Sequence, residues 1–297
     1  MDPILAWGMD VIRAVQRIES PALTQLALGI GAFGSAYFYL LALPLLYWCV
    51  DRRRGIRIGL LFFVSSFLNG WIKDATMESR PYTVDPSVGR AVETSPSFPS
   101  FHAQSSALFW GALASSFRRP LAWLPAVFIP ALIGFTRVFL GVHYPSDVLA
   151  GWAFGFGLVL LDRAFGDRIE RLVVRQRERM QLALVAVVAL AMNAIDMKDT
   201  GIAGVFFGFG VGVVLMPRIA PFSVHGSLGQ RALRFLVGAA GLVILYLGPR
   251  LLVGSIESLD PALVRFIRYG IVGLWASLGA PWLFLKLALS ETEAEST

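Results

Sequence analysis

Two of the three histidines in the chain stand in short polar blocks whose spacing suits nucleophilic chemistry. His143 is followed four residues later by Asp147, and a helical segment would put both side chains on one face. A carboxylate bonded to one imidazole nitrogen fixes the tautomer and raises the basicity of the other nitrogen. The spacing therefore predicts that Asp147 activates His143. The second histidine, His102, follows Ser100 and Phe101 in another block.

Three cations accompany these histidines. Lys73 and Arg80 belong to a Lys-x6-Arg-Pro block, and Arg137 precedes His143 by six residues. Fixed cations suit a multiply charged anion such as phosphate, because arginine offers a planar pair of donors and lysine adds a point charge. The hydroxyl of Ser100 and the backbone N–H groups of a helix that starts there would add donors. The blocks together predict a phosphate site.

Proline is expected in the first turn of two helices at this site, where its missing N–H costs nothing. These prolines are Pro99, three residues before His102, and Pro145, two residues after His143. A zinc site made of His102, His143 and Asp147 is chemically possible, but the nearby cations would repel the metal. Isolated histidines are more often structural, and isolated cations often reach toward lipid headgroups. The order and spacing of the blocks favour a catalytic site.

The composition is that of a polytopic membrane protein. Hydrophobic residues make up 56% and charged residues 15% of the 297 residues, and the mean hydropathy is +0.65. Soluble domains carry about 25% charged residues. Long apolar runs recur, many of them near the roughly 20 residues that a helix needs to span a bilayer. The arginines behind the net charge of +6 lie in short loops between these runs, which favours a topological role over nucleic-acid binding.

The apolar segments predict an all-α membrane bundle of about nine spanning helices, of which the first is long, interrupted by glycine and expected to be broken or tilted. They cover about 22–50, 56–74, 100–117, 120–140, 145–164, 181–197, 201–217, 235–254 and 264–288. Residues 1–20 are predicted to form an amphipathic helix at the membrane interface. A catalytic core at 21–165 is followed by a basic cytoplasmic linker at 166–180, additional spanning helices at 181–290 and a polar tail at 291–297.

Arginine clusters predict the orientation of the bundle. They follow the first, third, fifth and seventh segments, at Arg52–Arg57, Arg118–Arg119, Arg163–Arg179 and Arg218–Arg234. With nine spans these loops share one side, which the positive-inside rule makes cytoplasmic. Lys73, His102, Arg137 and Asp147 then gather at the opposite face. The scarcity of lysine relative to arginine indicates a bacterial source, so the sequence predicts a bacterial inner membrane protein whose site faces the extracytoplasmic side.

The three chemical blocks resemble the signature of a known superfamily. The order Lys-x6-Arg-Pro, Pro-Ser-x-His and Arg-x5-His-x3-Asp is similar to that of the type 2 phosphatidic acid phosphatase (PAP2) superfamily, and the similarity runs from about Lys73 to Gly151. The resemblance implies a PAP2-type phosphatase core within the membrane bundle. It also implies hydrolysis of a phosphate monoester or diphosphate, of a lipid in the leading hypothesis, through a phosphohistidine intermediate.

The resemblance implies a role for each matching residue. His143 would attack phosphorus, Asp147 would orient and activate it, and His102 would protonate the leaving oxygen and then activate water. The phosphoryl oxygens would be held by Lys73, Arg80, Ser100, Arg137 and the backbone N–H of Phe101. No metal and no other cofactor is expected, because the fixed cations supply the electrostatic stabilisation.

Two positions depart from the superfamily pattern. Thr136 stands where serine is usual before Arg137, and it keeps the hydroxyl. Phe101 stands where glycine is usual, so the backbone N–H remains but a phenyl ring is added. At the membrane boundary, this ring is expected to influence substrate choice more than chemistry.

Several functions fit the pattern besides a lipid phosphate phosphatase. They include a membrane phosphotransferase that uses an acceptor alcohol, and a sugar phosphatase similar to glucose-6-phosphatase. A transporter is disfavoured because the second half of the sequence lacks intramembrane charge pairs, and a silent binding homologue is disfavoured because the histidines and Asp147 are retained. The expected partners are a phosphate ester substrate and membrane lipids, without nucleic acid. Neither the substrate nor the oligomeric state follows from the sequence.

Overall fold

A computed structural model describes residues 2–117, 119–196, 199–252 and 261–292. Arg118, Lys198 and most of the predicted polar tail therefore lie outside the described residues. The described residues form helices and loops, with one isolated bridge between Phe222 and Thr292 in place of any sheet. The predicted all-α membrane architecture is confirmed.

The described chain folds into fourteen α-helices. They are α1 (Pro3–Val15), α2 (Pro21–Ala32), α3 (Ala36–Leu45), α4 (Arg52–Thr76), α5 (Pro81–Val84), α6 (Phe101–Ser115), α7 (Trp123–Phe139), α8 (Pro145–Leu161), α9 (Asp167–Val174), α10 (Glu178–Ile195), α11 (Thr200–Ile219), α12 (Leu228–Leu252), α13 (Pro261–Leu274) and α14 (Ala280–Lys286). Single π-helical turns extend α3, α8 and α13 at their C-terminal ends.

The predicted count of nine spans is approximate. Seven helical stretches in the described part of the chain are long and apolar enough to cross a membrane. The helices α2 and α3, bent by 45°, make an eighth if they count as one span, so the expected break in the first segment is present. The predicted third span is the 15-residue helix α6, which is shorter than the roughly 20 residues that cross a bilayer.

The helices fall into two compact units. One comprises Met1–Leu40 and Val64–Asp167, and the other comprises Leu41–Phe63 and Arg168–Thr297. The helix α4 contributes to both. All residues of the three chemical blocks lie in the first unit. The segment boundaries drawn from the sequence stay a prediction.

In the first unit, α6 and α8 pack closely through small residues. A Cβ added to Gly151 would lie 2.7 Å from the carbonyl oxygen of Ser100, and one added to Gly155 would lie 2.5 Å from that of Gln104. Glycines four residues apart on one helix allow two membrane helices to approach until their backbones nearly touch. This contact sets the distance between the first turn of α8 and the first turn of α6, where the site lies.

A buried polar network joins α6 to α4 below the site. The Gln104 side chain donates to the hydroxyl of Ser65 at 2.8 Å and accepts from Asn69 Nδ2 at 2.8 Å. Asn69 also donates to the carbonyl of Pro99 at 3.3 Å. Buried polar groups are costly unless they are paired, so this network holds α4 and α6 in one register.

The N-terminal segment is helical over Pro3–Val15, as predicted. Met9 and Ile12 are buried in a cluster that includes Tyr144 and Val148 of the first unit. Ile4 is exposed on the same helix. The apolar face of α1 thus packs in part against the protein, and its predicted place at the membrane interface stays a prediction.

In the second unit, α11 packs against α13 in a similar way. A Cβ on Gly204 would lie 2.3 Å from the carbonyl oxygen of Phe266, and one on Gly208 would lie 1.8 Å from that of Gly270. The buried Arg234 donates hydrogen bonds to four backbone carbonyls, at Trp48, Ser223, Val224 and His225. These contacts give Arg234 a structural role.

Candidate active site

The residues of the three chemical blocks meet where four helices begin or end. Lys73 lies in the last turn of α4 and Arg137 in the last turn of α7. His102 is the second residue of α6, and Asp147 lies in the first turn of α8. All of these side chains are buried or nearly so, together with Arg80, Ser100 and His143. The structure therefore brings the sequence-predicted site residues together at one end of the first unit.

His143 and Asp147 form a buried pair, although His143 is not helical. Nδ1 of His143 lies 3.1 Å from Oδ2 of Asp147. Because α8 begins at Pro145, a shared helical face cannot explain this contact. Instead, the Asp147 carboxylate turns back over the helix start and accepts the backbone N–H of Tyr144 at 2.9 Å. A capping interaction of this kind brings the carboxylate to the imidazole of the residue before the cap.

The donors around His143 determine which ring nitrogen accepts. Nη1 of Arg80 lies 3.2 Å from Nε2 of His143. A guanidinium group only donates, so Nε2 accepts, and the ring proton sits on Nδ1 and is donated to Asp147. The Ser97 hydroxyl donates to the same Asp147 oxygen at 2.6 Å. His143 thus presents the lone pair of Nε2 toward Arg80. Ser97 was not predicted, because a single serine in a loop gives no periodic signal.

Lys73 and Arg80 also bind the loop that precedes α6. Lys73 Nζ donates to the carbonyls of Pro96 and Ser97. Arg80 Nε donates to the carbonyl of Ser95 at 2.7 Å. Both cations therefore anchor a wall of the site as well as contributing positive charge to it.

The start of α6 differs from the prediction. The helix begins at Phe101 with Ser100 as its N-cap, so Pro99 precedes the helix and is not in its first turn. The Ser100 N–H donates to the carbonyl of Asp147 at 3.0 Å, and this bond to α8 keeps Ser100 outside the helix. Pro145, by contrast, is the first residue of α8, as predicted.

Donors at this helix start are suited to an anion. Among the described residues, none forms a hydrogen bond with the buried hydroxyl of Ser100. The N–H groups of the first helical turn have no acceptor within the helix, and they carry the positive end of the helix dipole. The Phe101 ring is half-buried and meets the His102 ring edge-on, with 6.3 Å between the ring centres.

One acidic residue that the sequence did not predict enters the site from the loop between α5 and α6. Glu93 Oε2 lies 2.9 Å from Arg80 Nη2 and 3.6 Å from His143 Nε2. Its Oε1 lies 3.4 Å from Arg137 Nη1 and 3.8 Å from His102 Nδ1. A glutamate in an irregular loop has no spacing that would mark it. Only the tertiary fold brings it between the two histidines.

Glu93 is a carboxylate rather than a carboxylic acid. Burial by itself raises the pKa of Glu93, but positive charge close to its oxygens, such as that of Arg80, lowers it, and the lowering dominates. The pKa therefore lies well below its ordinary value. The negative charge of Glu93 offsets part of the positive charge that the arginines bring to the site.

The helix α2 contacts the site through two glycines, which the sequence did not mark as functional. A Cβ on Gly31 would lie 1.6 Å from Nη2 of Arg137. A Cβ on Gly34, just beyond α2, would lie 3.1 Å from the Cβ of His102. The absence of side chains at these positions leaves room for the guanidinium group and the imidazole.

Gly31→Ala should therefore displace the guanidinium of Arg137 while leaving α2 helical, since alanine favours helix more than glycine. We expect kcat/KM for phosphate release to fall by up to about 100-fold, the scale of a misplacement near 1 Å at a reacting centre. The matched control is Gly29→Ala on the same helix, where no described atom lies within 4 Å of the added methyl group. Equal activity in the two variants would mean that Gly31 does not position Arg137.

Family models match both halves of the chain. The model of the PAP2 superfamily matches residues 54–168, and the model of the PAP2 superfamily phosphatase transmembrane extension matches residues 200–292. The chain belongs to the PAP2 superfamily. The first match contains all the polar site residues described above, and the second falls within the second unit.

Individual relatives are similar over about half of the chain. Phosphatidylglycerophosphatase B of Bacillus subtilis is 28% identical over 54% of this chain and 84% of its own length. The undecaprenyl-diphosphatase of Sulfolobus acidocaldarius is 26% identical over 51% of this chain and 74% of its own length. The crystal structure of a transmembrane PAP2 type phosphatidylglycerolphosphate phosphatase from Bacillus subtilis matches with a TM-score of 0.50 and 25% identity, covering 57% of this chain and 89% of that one. This PAP2 protein is accordingly an integral membrane phosphoric ester hydrolase.

Proposed function

We propose that this PAP2 protein hydrolyses a phosphate monoester or diphosphate of a membrane lipid through a phosphohistidine on His143. The observation that carries the proposal is the orientation of His143. Its Nδ1 is held by Asp147, and its Nε2 faces Arg80 at 3.2 Å. A neutral imidazole held in this way is a nucleophile aimed at the place where a phosphoryl group would meet the guanidinium.

The reaction proceeds in two steps. In the first, Nε2 of His143 forms a bond to phosphorus while the bond from phosphorus to the ester oxygen breaks, and His102 gives its proton to that oxygen. Asp147 stabilises the positive charge that develops on the His143 ring. In the second step, His102 accepts a proton from water as the water oxygen attacks phosphorus, which releases phosphate and restores His143.

The phosphoryl oxygens are held by cations and helix-start donors. Arg80 and Arg137 supply guanidinium groups, and Ser100 supplies a hydroxyl beside the first-turn N–H of Phe101. Lys73 adds positive charge behind the loop that it anchors. Charge that develops on these oxygens in the transition state is stabilised by donors already in position, which is the largest catalytic effect in many enzymes.

A lipid substrate is supported by the relatives and by the surroundings of the site. The site lies at the ends of membrane helices, and the two relatives described above are named for the phosphates of glycerolipid and polyprenyl substrates. Phosphate release from purified protein should therefore be faster with phosphatidylglycerol phosphate, phosphatidic acid or undecaprenyl diphosphate than with glucose 6-phosphate. A preference for the sugar phosphate would overturn the lipid assignment. Transfer of the phosphoryl group to an added alcohol in place of water would identify a phosphotransferase.

Trapping the covalent intermediate tests the mechanism. His102→Ala removes the base of the second step, so a substrate with a good leaving group, such as p-nitrophenyl phosphate, should load His143 faster than water unloads it. We expect mass spectrometry to find one added phosphoryl group on the peptide that contains His143. The double variant His102→Ala/His143→Asn is the control and should stay unmodified. A phosphoryl group on another residue would contradict the assignment of the nucleophile.

The site is proposed to face the extracytoplasmic side, on the strength of the arginine-rich loops. Cysteine labelling tests this in a Cys49→Ser background, which removes the only native cysteine. A cysteine in place of Val84, which is 47% exposed at the end of α5, should react with an impermeant reagent in intact cells. A cysteine in place of Gln176, exposed between α9 and α10, should react only after permeabilisation. The opposite pattern would invert the topology.

A further inference from the structure

Four groups of the site surround one small volume, which we call the anion site: Arg80, Arg137, His102 and His143. In this structure the carboxylate of Glu93 lies among all four. Its oxygens are 2.9 Å and 3.4 Å from the two guanidinium groups, and 3.6 Å and 3.8 Å from the two imidazoles. Each of these four groups also has a role toward the phosphoryl group in the proposed mechanism.

A phosphoryl group and the Glu93 carboxylate compete for this volume. The nucleophile must come to about 3–3.5 Å from the atom that it attacks, and Glu93 Oε2 already lies 3.6 Å from Nε2 of His143. Two anions this close in a site shielded from water would also repel each other strongly. The carboxylate must therefore leave the anion site before phosphate can enter.

The backbone of Glu93 is fixed, so this movement belongs to the side chain. The hydroxyl of Tyr82 donates to the carbonyl of Glu93 at 2.6 Å and accepts its N–H at 3.2 Å. The neighbouring Val92 and Thr94 are exposed, and the Glu93 side chain itself is 22% exposed. A rotation about the side-chain bonds would thus carry the carboxylate toward solvent without opening the loop.

We propose that Glu93 is a specificity-determining residue that occupies the anion site in the resting enzyme and sets the charge that a ligand needs to displace it. The inference rests on the proposed function, since it concerns the same anion site. A phosphate monoester or diphosphate terminus carries close to two negative charges, so it is attracted to the cations of the anion site more strongly than the singly charged carboxylate that it replaces. A phosphodiester headgroup carries one negative charge, so the exchange adds little attraction.

Occupation of the anion site by the Glu93 carboxylate has a use in a membrane. Most glycerophospholipid headgroups are phosphodiesters, and they surround the site at high local concentration. A bare cluster of arginines would bind them and be blocked. With Glu93 in place, only ligands with a terminal phosphate displace the carboxylate, so bulk lipids do not act as inhibitors.

Ligand binding to the full-length protein in detergent tests the proposal. The probes are inorganic phosphate, at a pH where it is a dianion, and dimethyl phosphate, a monoanion. In Glu93→Gln, phosphate should bind about tenfold more tightly. This is the gain expected if the Glu93 carboxylate occupies the anion site in about nine-tenths of the wild-type molecules and the variant lacks that competing state. Dimethyl phosphate should bind measurably to this variant and not to the wild type. The matched control is Asp10→Asn, which removes one exposed acidic charge from α1 and should change neither affinity.

A second variant and a second readout separate a change in phosphate binding from misfolding of the variant. Glu93→Asp keeps the charge on a side chain one methylene shorter, and it should give an affinity between those of the wild type and Glu93→Gln. Inorganic phosphate should raise the unfolding temperature of Glu93→Gln more than that of the wild type. Unchanged or weaker phosphate binding in Glu93→Gln would overturn the proposal. So would a fall in kcat without tighter binding, which would make Glu93 a partner of His102 in proton transfer.

Failure of this inference is distinguishable from failure of the proposed function. If the protein hydrolyses lipid phosphates but Glu93→Gln binds phosphate no more tightly, only the role of Glu93 is wrong. If the wild type releases no phosphate from any lipid, yet Glu93→Gln gains phosphate affinity, the anion site stands and the proposed reaction is wrong.

Discussion

Phosphate release should fall about 10³-fold or more when His143 is replaced by alanine, because the reaction loses the nucleophile that we propose. The residual cations still bind the phosphoryl group, so KM should change less than kcat. Asp147→Asn should lose less activity, since the imidazole is still held but is less basic. The measurement is steady-state phosphate release from a lipid phosphate in detergent micelles, for each variant at matched protein concentration.

The design of the controls follows from the burial of His143. Removing a buried imidazole leaves a space beside Arg80, so His143→Asn is included because its amide nitrogen can still donate to Asp147. His225→Ala is the matched histidine control, since His225 lies in a loop of the second unit. We expect both His143 variants to elute and unfold like the wild type but to be inactive. Turnover near that of the wild type in His143→Asn would rule out His143 as the nucleophile.

Gly151→Ala is expected to have the second large effect, on both stability and activity. The added methyl group would lie 2.7 Å from the Ser100 carbonyl oxygen, 3.0 Å from the Cβ of Ala103 and 3.1 Å from the Gln104 nitrogen. Two of these three atoms are backbone, so α8 has to move away from α6. We expect a loss of about 1–3 kcal/mol in the free energy of unfolding, as in other overpacked interiors.

The same shift should reduce kcat/KM by more than the loss of stability explains. Asp147 lies one turn before Gly151, and its backbone carbonyl accepts the N–H of Ser100 at 3.0 Å. Separation of the helices therefore moves the Asp147–His143 pair away from the donors at the start of α6. Thermal unfolding in detergent and kcat/KM below the unfolding transition measure the two effects separately. Gly157→Ala on α8 is the control, with no described atom within 4 Å of its added methyl group. Similar behaviour of the two variants would refute the role of this contact.

The sequence predicted most of the elements because membrane helices carry a strong one-dimensional signal. Apolar runs near the length of a bilayer marked the spans of α7, α8, α10 and α11 close to their observed bounds. The segment predicted at 100–117 is also helical, as α6, but its 15 residues are fewer than the roughly 20 that cross a bilayer. Its start depends on the bond from the Ser100 N–H to the carbonyl of Asp147, which joins residues far apart in the chain.

The chemical residues were also predictable, because each of the three blocks concentrates rare polar types at a fixed spacing. That spacing was enough to nominate Lys73, Arg80, His102, Arg137 and His143 as partners. It was not enough to explain how His143 meets Asp147. A shared helical face was the simplest expectation, and the structure replaces it with a carboxylate that caps α8.

The sequence by itself thus determined the membrane bundle, the superfamily and the set of residues that face one another, since these depend on composition and on distances along the chain. Only the tertiary structure decided which further residues contact this set. Glu93 and Ser97 come from the loop before α6, and Gly31 comes from the separate helix α2. Each matters because it lies a few ångströms from a residue that is distant in the sequence. No periodicity or motif identifies such a residue, because only tertiary packing brings it into contact with its partner.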